Sequence, residues 1–283
     1  MRQLHYITCC PTDKYFLFQV GAWLANLEEL GEIERAHVLL YHPKGRQEHD
    51  GWEIMKEMFP KATIKVYEDS ALFPLISLYI PIIRPYLMSN YMAQRPELAK
   101  EAIFYCDSDI LFVEKPKLED YLQDDVCYLS DTVSYIGSDY IVGKYKQAKQ
   151  GMQEELKDKN VLKELCSIVG IDEQTALNNN LNSGGAQYLI KDMGAEFWKK
   201  VLKDCISIKV HLDDVNKHFF VDGNTGYQSW CADMWSVLYN LWYFKKETKV
   251  IKEMDFAWAT DPIQKLDNVA ILHNAGITNT HDS

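Results

Sequence analysis

Over the first 113 residues, short apolar runs alternate with longer stretches whose apolar side chains return every three or four positions. The runs are "LHYITCC", "AHVLLYHP", "TIKVYED" and "AIFYCDSDILFV", beginning at Leu4, Ala36, Thr63 and Ala102. Runs that are apolar on both faces predict buried strands. The stretches between them predict helices. Lys14 to Gly31 is closed by a glycine, Gly51 to Pro60 is stopped by a proline, and Ile80 to Glu101 carries Pro85 in its first turn. The order β-α-β-α-β-α-β predicts a Rossmann-like, mostly parallel sheet flanked by helices, an α/β fold.

The second half is less regular. "DVCYLSDT" (125–132) and "LNSGGAQYLIK" (181–191) predict strands, the latter entered through a glycine pair. Residues 144–170, rich in Lys and Glu, predict a solvated surface helix. Residues 193–218 and 228–244 predict amphipathic or buried helices, and "TKVIKEMDFAW" and "VAILHNAG" late strands. No Pro/Ser-rich linker or repeat divides the chain. The expectation is one domain over 1–283, with a nucleotide-type half at 1–113 and an elaborated half at 114–283.

Composition narrows the function classes. The 47% hydrophobic and 25% charged shares over 283 residues are those of a soluble globular protein. A net charge of −11 argues against a broad nucleic-acid surface, which needs clustered Lys and Arg. It suits a protein that recruits a divalent cation before meeting an anionic substrate. The seven cysteines show no C-x-x-C or Cys/His spacing, so they are expected to be reduced core thiols of a cytoplasmic protein. The apolar run at the N-terminus is too short for a signal peptide, and no segment reaches the roughly 18–20 apolar residues of a membrane span.

The fourth run holds a local anomaly. Asp107 and Asp109 interrupt it, and unpaired charges are costly to bury. Side chains at i and i+2 share one side of an extended chain, and ligands of open α/β sheets bind at the carboxyl edge. Two carboxylates there make an oxygen-rich site for Mn²⁺ or Mg²⁺, able to bridge to a diphosphate. Chance alone supplies on the order of one D-x-D in a chain of this composition. It is the apolar "AIFYC" before it and "ILFV" after it that strengthen the signal. Asp233 is a second anomaly, a carboxylate among Trp230, Met234 and Trp235.

"FYCDSDILF" resembles the D-x-D segment of glycosyltransferases with the nucleotide-diphospho-sugar transferase (GT-A) fold. The order of the remaining motifs is similar to that of retaining family 8 enzymes. Arg84, in "YIPIIRPYLMSNYM", matches a donor-contacting Arg. "LNSGGAQYLIK" resembles the donor-sugar segment, and "ILHNAG" the late His-x-x-Gly whose His completes the metal site. The resemblance implies Asp107, Asp109 and His273 as metal ligands. It implies Thr8, Asp13, Tyr15, Arg84, Ser108, Asp131, Ser183, Gly184, Gly185 and Gly276 as donor-binding residues. Asp13 equally suits a helix N-cap, and the glycines a tight turn into a strand. Asp233, with Gln228 and Asn182, would serve catalysis, as a base in an inverting reaction or as an acceptor-orienting group in a retaining one. The chain departs from family 8 in having "CADM" where Asp-Gln-Asp is usual, and no Lys after Gly276.

These readings imply a metal-dependent glycosyltransferase that moves a sugar from a nucleotide-diphospho-sugar, a UDP-sugar by preference, to an acceptor hydroxyl with retention. The acceptor stays open: a glycan, a lipid-linked sugar, a protein or a hydroxylated DNA base, with a glycan favoured over DNA. A sugar-nucleotide-forming nucleotidyltransferase and a non-catalytic sugar-binding protein of the same fold are the rivals. The first rival usually carries a glycine-rich loop after its first strand, and "CCPTDKYF" has no glycine.

Overall fold

The computed structural model describes residues 1–46, 50–69, 72–149, 159–220 and 226–275. The first three strands are β1 (Leu4–Pro11), β2 (Ala36–Pro43) and β3 (Thr63–Asp69). They pair in parallel, in register Thr8 to Val38 and Leu40 to Val66. Helices α1 (Lys14–Glu29), α2 (Gly51–Met58), the single turn α3 (Phe73–Ile76) and α4 (Ile83–Gln94) make the connections.

The fourth run does not form one strand. It divides into β4 (Ala102–Cys106), parallel to β1, and β5 (Ile110–Phe112), which belongs to another sheet. The break falls on Asp107-Ser108-Asp109. Carboxylates in mid-ladder would lie between two apolar layers, so the chain leaves the sheet where they occur.

The remaining elements are β6 (Cys127–Asp131), α5 (Val133–Ile136), α6 (Ser138–Lys149), α7 (Val161–Val169), α8 (Glu173–Asn178), β7 (Gly184–Lys191), α9 (Ala195–Phe219), α10 (Ala232–Tyr243), β8 (Thr248–Val250), β9 (Phe256–Trp258) and β10 (Ile271–His273). The sheet order is β3-β2-β1-β4-β7-β6-β8, and a smaller sheet runs β5-β10-β9. β7 is antiparallel to both its neighbours. Its first residues therefore lie at the edge where β1, β4 and β6 end. The expected helix over 144–170 is two helices where it is described, α6 and α7. Asn160 starts α7 by accepting a hydrogen bond from the Lys163 N–H. The expected strand over 248–258 is β8 and β9, separated by a short 3-10 turn.

Alternate side chains of the central strands enter two cores. Ile7, Cys9, Ile103, Tyr105 and Tyr188 face α4, α7, α9 and α10; Tyr6, Cys10, Phe104 and Leu189 face α1 and α2. All seven cysteines are buried and unpaired. Among the described residues, no helix is long and apolar enough to cross a membrane.

Candidate metal and donor site

Asp107 and Asp109 lie on the short link from β4 to β5. The smaller sheet brings the third residue to them. His273, ending β10, pairs across the ladder with Ile110, and Asn274 N–H donates to the Asp109 carbonyl at 2.8 Å. One ligand atom from each of Asp107, Asp109 and His273 lies within 4.8 Å of the others. His273 Nε2 is 3.6 Å from Asp107 Oδ2 and 3.3 Å from Asp109 Oδ1. The second approach lacks hydrogen-bond geometry, so Asp109 Oδ1 is a buried oxygen without a partner. An anionic oxygen in that state is costly and needs a cation.

A second layer sets the imidazole. His273 Nδ1 lies 3.1 Å from the Gln187 amide, whose other heteroatom meets Ser130 Oγ at 2.6 Å. The Gln187 amide nitrogen faces Nδ1 while its oxygen accepts from Ser130 Oγ, so Gln187 ties the imidazole to β6 and fixes the ring's orientation. Trp258 stacks on the ring at 5.0 Å and 28°. Two carboxylates suit Mn²⁺ or Mg²⁺, and the added imidazole nitrogen suits Mn²⁺ better of the two. The residues fit such an ion.

Arg84, in the first turn of α4, pairs with Asp107 and holds Asp233 Oδ2 at 2.5 Å. Its guanidinium lies 5.6 Å from the Tyr105 ring centroid. Burial works against its charge, but Asp233, with Tyr105 and Tyr188, outweighs this and holds its pKa well above the ordinary value. Asp233 is buried in the first turn of α10 and also accepts a hydrogen bond from Tyr79 Oη at 2.9 Å. Burial, followed by the charge of Asp233, pushes the Tyr79 phenol well up, so it stays a donor. Two carboxylates thus share one guanidinium, and Asp109 makes no ion pair with it among the described residues.

The site opens into a cleft of about 430 Å³, within the usual size range for small-molecule sites. Cys9 and Pro11 from the end of β1, Tyr15 and Gln19 from α1, Arg84, Asp107, Ser108, Asp109 and Trp230 line it. Ser108 Oγ donates to Gln19 Oε1 at 2.8 Å, tying the acidic link to α1.

Other expected residues lie elsewhere. Thr8 is wholly buried in β1 opposite Cys106, and Cys9 and Pro11 reach the cleft in its place. Asp13 holds the N-cap position of α1 without a side-chain cap bond and is not part of the cleft lining. Asp131, at the end of β6, lines a different pocket. Ser183 is buried, its hydroxyl bonded to the Asn179 carbonyl, and the Asn182 carbonyl accepts from Thr248.

Gly184 and Gly185 are required by packing. A Cβ on Gly184 would sit 2.3 Å from the Ser130 carbonyl oxygen, and one on Gly185 2.5 Å from Tyr188 Oη. Ala186 follows with φ +66, a left-handed kink at the mouth of β7. Gln228 caps the short turn before α10, its Oε1 facing Cys231 Sγ at 3.9 Å. Trp235 is core, its indole N–H donating to the Ile136 carbonyl. Gly276 lies outside the described residues. Gln187, Tyr79 and Trp258 were missed. The available signals were a polar residue inside the apolar strand run and aromatic residues near Asp-bearing segments.

No protein-family model and no curated protein sequence matches this chain. Among solved structures it is similar to mouse xyloside xylosyltransferase 1 in its apo form, at 10% identity and TM-score 0.44, over 98% of this chain and 99% of that one. It is also similar to the bifunctional glycosyltransferase WbbM (8% identity, TM-score 0.46, 97% of this chain and 46% of that one). A third similar structure is galactosyltransferase LgtC with donor and acceptor sugar analogs (11% identity, TM-score 0.44, 96% and 87%). At such scores the functional reading rests on the site's own geometry.

Proposed function

We propose that this protein is a metal-dependent glycosyltransferase using a nucleotide-diphospho-sugar, a UDP-sugar by preference, as donor. The observation that carries the reading is the charge imbalance at the lip of the sheet. Arg84 pairs with Asp107 and Asp233, which leaves Asp109 Oδ1 buried, without a hydrogen-bond partner and 3.3 Å from His273 Nε2. Asp107, Asp109 and His273 would hold Mn²⁺ or Mg²⁺, which when bound supplies Lewis-acid stabilisation of a departing diphosphate. The ordered motifs "FYCDSDILF", "LNSGG" and "ILHNAG", which resemble those of such enzymes, support the same reading.

The chain's own residues do the rest. Pro11, Tyr15 and Phe16 form an apolar wall suited to a base and ribose. Arg84, at the cleft floor, offers planar donors to phosphate oxygens. Asp233 is engaged by Arg84 and Tyr79 and is not part of the cleft lining. A paired, buried carboxylate is poorly placed to take a proton from an acceptor hydroxyl. Its geometry favours orienting Arg84, and hence a retaining reaction. The acceptor is a hydroxyl-bearing molecule, a glycan before DNA.

The test is incubation with a panel of UDP-sugars and Mn²⁺, following UDP release and the anomeric coupling constant of any product by NMR. Metal-dependent UDP release that EDTA abolishes is the expected result. Pyrophosphate release from UTP with a sugar phosphate would favour the nucleotidyltransferase. Failure to bind any uridine nucleotide would overturn the reading.

A further inference from the structure

A second pocket of about 540 Å³ lies beside the β9–β10 ladder that carries His273 and shares no lining residue with the donor cleft. Its walls include Asp131, Asp255, Phe256, Trp258 and Lys265. The topology sets it beside the metal site. Trp258 pairs with His273 in the β9–β10 ladder and stacks on its ring, and Phe256 approaches the same ring at 5.6 Å. Asp131 pairs with Gly184, the first residue of β7.

The pocket's chemistry selects a class of ligand. Asp131 Oδ1 accepts a hydrogen bond from the Val133 N–H at 3.1 Å, which leaves Oδ2 as an acceptor. The Asp255 side chain makes no hydrogen bond or ion pair among the described residues. Burial, and then the nearby charge of Asp131, raises its pKa. Lys265 is held by Asp261 at 2.7 Å, so its charge is engaged. Net negative walls repel phosphates. Two carboxylates are too few for a dedicated cation cage, which takes six or so oxygens. Aromatic faces beside carboxylate acceptors suit a neutral ring bearing several hydroxyls. The volume holds one or two such rings.

We infer that this pocket is the acceptor subsite, and that it takes the non-reducing end of a neutral saccharide through Asp131, Asp255 and the Phe256–Trp258 pair. The inference rests on the glycosyltransferase reading above. An acceptor held here would lie clear of the residues that line the donor cleft and against Trp258, which stacks on His273.

The test is saturation-transfer NMR on the full chain with Mg²⁺ and UDP. The probes are the methyl α- and β-glycosides of glucose, galactose and xylose. The expected result is binding of at least one glycoside by the wild type. Asp255→Asn and Asp131→Asn should each weaken it tenfold or more. Calorimetry should show the affinity for UDP and Mn²⁺ changed less than twofold in both variants. Either variant suffices if the other fails to fold. The proposal is overturned if no glycoside binds the wild type, or if bound glycoside is held equally well by the folded variants. Failure of UDP to bind the wild type would be a separate result. It would overturn the transferase reading, and the acceptor role with it.

Discussion

At the scale of single residues, Arg84 holds the site together. It compensates Asp107 and Asp233 at once, and removing one member of a buried ionic group leaves the rest uncompensated. Arg84→Ala should therefore lower the unfolding free energy by about 3–5 kcal/mol, seen as a fall in the urea midpoint. Adding Asp233→Asn to that variant should restore part of the loss, because the coupling belongs to the pair. An additive double mutant would contradict the arrangement. The two Asp were legible as charges inside an apolar run, whereas His273 entered only through the resemblance of "ILHNAG" to a family motif; the structure brings the three together. Gln187 and Tyr79 were not legible. Their roles depend on contacts to residues 86 and 154 positions away. No local pattern encodes such pairings.

Among the elements, the first three strand–helix units could be read directly, because each is set by its own periodicity and its own stop signal. The direction of β7 could not. An apolar strand reads the same whichever way it enters the sheet, and its antiparallel course is decided by the chain path from β6. The split of the fourth run was missed for a related reason. Apolar residues continue past Asp109, but they feed a second sheet closed only by residues 256–273. The glycine pair that opens β7 gives a test at this scale. Gly184→Ala places a methyl 2.3 Å from a backbone oxygen and should cost about 1–3 kcal/mol or more, measured by thermal melting. Gly143→Ala, in α6 with open space around it, should gain up to about 1 kcal/mol under the same measurement. Equal effects at the two positions would show that close packing does not explain the pair.

The whole molecule puts its chemistry at one sheet edge and, within the sheet, sets a buried histidine against a half-buried one. His5 Nδ1 contacts His37 Nε2 at 2.9 Å, and His37 Nδ1 contacts Tyr91 Oη at 2.8 Å. Burial first, then His5 and Arg95, drive the His37 pKa from 6.5 down to about 3. The unfolded chain therefore binds a proton that the folded chain refuses. Stability is fully present above the unfolded value and is lost as pH falls toward the folded one. Each pH unit below about 6.5 should cost about 1.4 kcal/mol from this group. Melting temperature measured from pH 8 to pH 5 should fall, and His37→Gln should flatten the slope. A flat wild-type profile over that range would contradict this. The most direct test of the central claim, that the acids at the sheet edge hold a divalent cation, is Mn²⁺ titration followed by electron paramagnetic resonance with UDP present. The wild type should bind one Mn²⁺ per chain, and Asp109→Ala, with an unchanged circular dichroism spectrum, should leave the free Mn²⁺ signal intact. A wild type that leaves Mn²⁺ free, or an Asp109→Ala variant that binds it as tightly, would contradict the account.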